Sequence, residues 1–174
     1  MIKVLGIKIY DRIKEAGLTQ GILSKYASVI TTRLGFHEVT DDLCSREAYI
    51  LLHLKDGGTG SDLLRGELEP LGGILIREMI FDPDAPDASG EKFEGSTDVL
   101  GLMIEQNPGV INSVQQILTS FGCYIRTRLG VNELFYGEPA GLIILELTGD
   151  KKQRDLLETD LKSLPGVTVR KMVF

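Results

Sequence analysis

Two spacings of apolar residues take turns along the chain. Residues 4–9 form a compact apolar run with Lys8 as its only charge, which predicts a strand. Leu18, Ile22, Leu23 and Tyr26 then recur at helical spacing. The same signal is plainer further on, where Val110, Val114, Ile117, Leu118 and Phe121 fall on one helical face behind an Asn107-Pro108-Gly109 start. Alternation follows each helix. Ile30, Thr32 and Leu34 share one face, with Ile125, Thr127 and Leu129 as counterparts, while Val29, Thr31 and Arg33 oppose them, matched by Tyr124, Arg126 and Arg128. Third strands are predicted over 49–54 and 142–147. Leu64, Leu68 and Leu71, and later Leu157, Leu161 and Leu164, mark second helices that stop at Gly73 and at Pro165-Gly166. Fourth strands, 74–81 and 167–174, close each pattern.

The pattern occurs twice because the chain is an internal duplication. Thr32-Arg33-Leu34-Gly35 returns letter for letter as Thr127-Arg128-Leu129-Gly130, 95 residues on. After a two-residue deletion the offset becomes 93, and Arg77, Met79 and Phe81 map onto Arg170, Met172 and Phe174. There are 13 identities over residues 4–40 and 12 over residues 47–81, across 72 aligned positions, far more than chance allows. The predicted organisation is a module over 1–81, an acidic flexible linker over 82–97 and a second module over 98–174.

Within each module the order is β-α-β-β-α-β, the split motif of ferredoxin-like α+β folds, with two helices on one face of an antiparallel sheet. The other face is expected to carry Lys8, Arg33, His53 and Arg77 in the first module, and Arg128, Glu146 and Arg170 in the second. Val29, Leu51, Met79, Met103, Tyr124, Leu142, Ile144 and Met172 are assigned there too. So much apolar surface calls for cover. Each module is also small for a free-standing core. A pseudo-dimer with packed sheets, and assembly of the chain with itself, are therefore expected.

Composition narrows the class. A net charge of −6 and a pI near 5.0 speak against a phosphate-binding surface, so nucleic acid is an improbable partner. No apolar run reaches the ~20 residues that span a bilayer, and the first residues lack the pattern of a signal peptide, so no membrane partner and a cytoplasmic location are expected. Cys44 and Cys123 occupy non-equivalent repeat positions, which argues for reduced thiols rather than a disulfide. His37, Cys44 and His53 all lie in the first copy without ligand spacing, so neither a metal site nor a cofactor is predicted. No nucleophile motif or phosphate-binding loop is present, and an enzyme is not expected. The Gly57-Gly58-Thr59-Gly60 run reads as a flexible loop.

The V-L-G start, the helix, R-L-G at a strand end and L-P-G-V before the last strand together resemble the small iron-only hydrogenase system regulators. Those are ferredoxin-like modules related to ACT domains and to the ligand-binding half of nickel-responsive regulators. Asn107-Pro108-Gly109-Val110, with Val114, Ile117-Leu118 and Gly122 behind it, is similar to the first loop and helix of ACT domains. The resemblance implies a non-catalytic regulatory module that dimerises through its sheets. It also implies a site for an amino acid or small carboxylate at Asn107, Pro108, Gly109 and Val110. The first copy has Arg12-Ile13-Lys14-Glu15 there and departs from the pattern. An assembly protein without a ligand is the competing reading, and the protein partner is unknown. Arg33 and Arg128 either bind a carboxylate or pair within the sheet, Arg128 with Glu146 for instance. Gly35 and Gly130 are expected to mark a bend or bulge at a strand end. Leu142 and Ile144 belong to the expected interface.

Overall fold

The structure, a computed structural model, describes residues 1–37, 45–55, 59–82, 97–135 and 138–174. It divides into two compact units, Met1–Ile80 and Phe81–Phe174. Nearly all of the predicted linker, and Cys44, lie outside the described residues.

The first unit contains strands β1 (Ile2–Ile9), β2 (Ile30–Phe36), β3 (Ala48–Leu54) and β4 (Ile74–Phe81), with helices α1 (Arg12–Lys25) and α2 (Thr59–Leu68). The second repeats the order with β5 (Asp98–Glu105), α3 (Pro108–Ser120), β6 (Ile125–Phe135), β7 (Glu138–Leu147), α4 (Lys151–Lys162) and β8 (Val167–Val173). Each sheet has four strands, in the orders β2-β3-β1-β4 and β6-β7-β5-β8. Both units are ferredoxin-like α+β modules.

Local chemistry starts and stops these elements. Asp11 caps α1 by accepting from Ile13 N–H at 3.1 Å and Lys14 N–H at 3.4 Å. Asn107 caps α3 with Pro108 as its first residue, and Asp150 caps α4. After α2 and α4 the chain reverses through Gly73 and Gly166, whose φ values of 79° and 77° exclude most side chains. The cores lie between helices and sheets. Leu5, Ile7, Leu52, Leu54, Leu64 and Leu68 fill the first, and Leu100, Leu102, Val114, Leu145, Leu157 and Leu161 the second.

Three expectations change. Leu18 is not a core residue but 63% exposed, and Thr19 is buried in its place. The repeat explains the error, because Thr19 aligns with core Val114 and Leu18 with Ser113. The first copy simply carries a hydroxyl where the second carries a methyl group. Gly35 and Gly130 do not mark bulges, since they pair in register with Ile50 and Ile143. The irregularity falls at the other end of each strand, between Ile30 and Thr32 and between Ile125 and Thr127. One extra residue there inverts the alternation. Arg33 and Arg128 therefore sit opposite Leu52 and Leu145, on the helix-covered face rather than the open one. Val29 and Tyr124 lie in single 3-10 turns ahead of the strands, and Val29 packs against the helix-side core.

Candidate functional site

With the alternation inverted, Arg128 rises from the edge strand β6 toward α3. Its guanidinium donates through Nη1 to Gln115 Oε1 at 3.0 Å. In the first module Arg33 donates to Gln20 Oε1 at 2.7 Å, the same pair one repeat earlier. Among the described residues no carboxylate pairs with Arg128. The expected Arg128–Glu146 bridge is not formed. Glu146, 3% exposed on the opposite face, accepts instead from Thr127 Oγ1 at 2.6 Å and Arg126 Nη1 at 3.3 Å.

Arg128 and Gln115 stand at the rim of a pocket of about 230 Å³ between the first turns of α3 and the β6–β7 hairpin. Its walls are mainly apolar, with Ile104, Ile111 and Ile143 among them, and Gln106 adds an amide. Gly130 and Gly141 also line it, and their missing side chains help create the space. Among the described residues a Cβ placed on Gly130 would meet nothing within 4 Å, and one on Gly141 would meet Ile104 Cβ at 4.0 Å. Gly130 is thus glycine for room rather than for backbone conformation. In the first module Arg33 and Gln20 border a different hollow of about 310 Å³, toward Ser24, Ala27 and Thr31.

The four residues proposed from sequence at the start of α3 flank this pocket but do not line it; their neighbours Gln106 and Ile111 do. Asn107 Oδ1 accepts from Gly109 N–H at 2.9 Å, so one free donor of the helix end is already taken. The Glu105 carboxylate lies beside the same turn. A Cβ on Gly166 would stand 3.1 Å from its Oε2 and 3.5 Å from Val110 Cγ2. At the positive end of α3 the Asn107 side chain thus already supplies one oxygen. For an incoming anion Arg128 is the better-placed cation.

Leu142 and Ile144 are buried on the face of β7 turned away from the helices, as are Met103 and Met172. His53, the counterpart of Glu146, is buried on the corresponding face of β3, His37 is exposed, and Cys123 is a free exposed thiol. Sequence reasoning singled out Arg33 and Arg128 but missed their glutamine partners. The signal was available, because Gln20 and Gln115 are identical at equivalent repeat positions.

Among the described residues no helix is long and apolar enough to cross a membrane. No family model matches the sequence, and no curated protein does. Solved structures of similar fold include an uncharacterized protein from Thermotoga maritima, 23% identical, which covers 47% of this chain and 99% of its own, with a TM-score of 0.40. An unknown protein from Galdieria sulphuraria is 13% identical over 99% of this chain and 98% of its own, with a TM-score of 0.38. The small subunit of acetolactate synthase from Thermotoga maritima is 11% identical over 100% of this chain and 98% of its own, with a TM-score of 0.36. At these levels the likeness is one of fold alone.

Proposed function

We propose that this protein is a non-catalytic regulatory module that binds a small molecule in its second repeat and acts through protein contacts. The observation that carries the reading is the α3/β6–β7 pocket. It combines apolar walls, space left by two glycines, and a guanidinium held at the rim by Gln115. Concave, mainly apolar sites with a few fixed polar groups are the usual form of small-molecule sites. The lining supplies amides and a guanidinium, which hold an anion well but neither attack it nor exchange protons with it near neutral pH. The resemblance of the V-L-G and R-L-G pattern to iron-only hydrogenase system regulators points the same way. A ligand seated here touches α3, β6 and β7 together, so binding would stiffen the edge of the sheet.

A thermal-shift screen of amino acids and small carboxylic acids on the full chain, repeated on Gly130→Leu, tests the proposal. The new side chain enters open space, so the variant should melt no lower than the wild type yet lose the shift produced by any hit. A ligand bound only by the folded protein raises stability by about 2.7 kcal/mol at one hundred times its dissociation constant, which such a screen detects. Equal shifts in wild type and Gly130→Leu would place the ligand elsewhere and remove the basis of the proposal.

A further inference from the structure

Resting on that reading, we infer that the ligand is a small monocarboxylic acid with a compact apolar tail, bound once per chain and without recognition of an amino group. The charge balance of the pocket carries this. Among the described residues Arg128 is the one charged group of the lining, and its remaining donors have no carboxylate partner there. A guanidinium fork with free N–H groups matches a carboxylate in shape and charge. The tail would then lie over Gly130 and Gly141 and against Ile104, Ile111 and Ile143.

An α-ammonium group would find poor company there. Among the described residues the lining contains no Asp or Glu, and Gln115 Oε1 already accepts from Arg128. Entry of that cation would strip its water for at most a neutral amide, an unfavourable exchange. The pocket therefore separates a simple carboxylic acid from the amino acid of the same carbon skeleton.

Among the described residues the first module does not repeat this lining. In the first module Gly141 is replaced by Ala48, Val131 by Phe36 and Leu142 by Tyr49. The two rings stack with centroids 5.2 Å apart. The chain ahead of β3 also folds against the start of α1. Arg12 N–H donates to Arg46 O at 2.8 Å, Arg12 Nε to Ser45 O at 2.9 Å, and Arg46 pairs with Asp11 at 2.9 Å. The chain ahead of β3 thus already occupies the start of α1, the place that corresponds to Gln106 and Asn107 in module two.

Titration calorimetry on the full chain with 3-methylbutanoate, 3-methylbutanamide and L-leucine provides the test, using wild type, Arg128→Gln, Arg33→Gln and Gly130→Leu. Circular dichroism would check that each variant is folded. The acid should bind the wild type more tightly than either other compound. Arg128→Gln should weaken the acid by roughly 10- to 100-fold, the loss expected for a charge-assisted hydrogen bond, and leave the amide's binding as it was. Arg33→Gln should change nothing, and Gly130→Leu should abolish binding. If the amide or leucine binds as well as the acid, or Arg128→Gln keeps full affinity, while Gly130→Leu still abolishes binding, the carboxylate assignment fails and the pocket stands. If binding survives Gly130→Leu, or none of the three compounds binds at tens of millimolar, both fail.

Discussion

Replacing Asp98 should destabilise the second module by several times the worth of a surface charge. Asp98 is 5% exposed at the start of β5, on the helix side of the sheet. Its carboxylate forms ion pairs, 2.9 Å from Arg154 Nη1 and 3.4 Å from Lys171 Nζ, which also reaches Glu158 at 3.0 Å. Asp98→Asn keeps the shape and removes the charge, leaving the poorly hydrated Arg154 facing a neutral group while Lys171 keeps Glu158. Stripping one partner from a buried pair costs about 3–5 kcal/mol. Some 12–18% of the Arg154 and Lys171 side chains stays in water, so the lower end, about 3 kcal/mol, applies here. The first module offers a control. At the equivalent places it has Lys3, Ser61, Arg65 and Glu78, with Lys3–Glu78 at 3.3 Å and Arg65–Glu78 at 3.1 Å. Three of these positions carry opposite charge in the two copies. Asp98→Lys alone should therefore be worse than Asp98→Asn, whereas Asp98→Lys, Arg154→Ser, Glu158→Arg and Lys171→Glu together transplant the first network and should recover most of the loss. Urea unfolding followed by circular dichroism, with hydrogen exchange to locate the affected strands, reads these differences. A cost below about 1 kcal/mol for Asp98→Asn, the value of a surface pair, or a quadruple variant no better than Asp98→Lys, would refute the reasoning.

Two glycines of α2 should respond in opposite senses. A Cβ on Gly60 would sit 2.5 Å from Val29 Cγ1, so Gly60→Ala should destabilise by about 1–3 kcal/mol. Gly66 has open space and Gly66→Ala should stabilise by about 0.5–1 kcal/mol, both read from urea midpoints. Thr19 is 1% exposed and its hydroxyl finds no partner among the described residues, so Thr19→Val should stabilise by about 1 kcal/mol in the same assay; a lower midpoint would show a missed hydrogen bond. The Lys151 ammonium, bonded at 2.8 Å, holds the Asp155 carboxyl below its usual range against the opposing effect of burial. Its stabilisation is complete above the ordinary carboxylate range and is lost as the pH falls through the lowered folded value. Melting temperatures of Asp155→Asn should accordingly depend less on pH below about 4 than those of the wild type.

Much of the fold could be read from the chain because duplication tests every periodic signal twice. Where the copies agree, as at Leu64, Leu68, Leu157 and Leu161, apolar spacing identified residues that are fully buried. Where they differ, spacing misled. Thr19 and Glu15 stand in the first copy for Val114 and Val110, which erased the stripe on α1 and promoted exposed Leu18 to the core. The face of Arg33 and Arg128 was misassigned for another reason. Alternation assumes one residue opposite one residue, and a bulge leaves no mark in hydrophobicity. The pocket was less legible still, since it arises partly from side chains that are missing at Gly130 and Gly141. A missing side chain in one strand has no meaning until the neighbouring strand and helix are placed.

The inverted charges show how the two copies came to keep one architecture while diverging in detail. On each α2-type helix the same aspartate persists, as Asp62 or Asp155. It serves whichever strand carries the lysine, with Lys3–Asp62 at 3.1 Å and Lys171–Asp155 at 3.7 Å. The lysine itself has moved from the first strand of one module to the last strand of the other. This matters in a chain whose repeats share so many residues that their strands could pair in exchanged fashion. β1 with β8 would set Lys3 beside Lys171, and β5 with β4 would set Asp98 beside Glu78. Like charges at such largely buried positions repel and lack a partner, whereas the native pairings set each of the four beside an opposite charge. Apolar spacing gives each strand two acceptable neighbours; the charges leave it one.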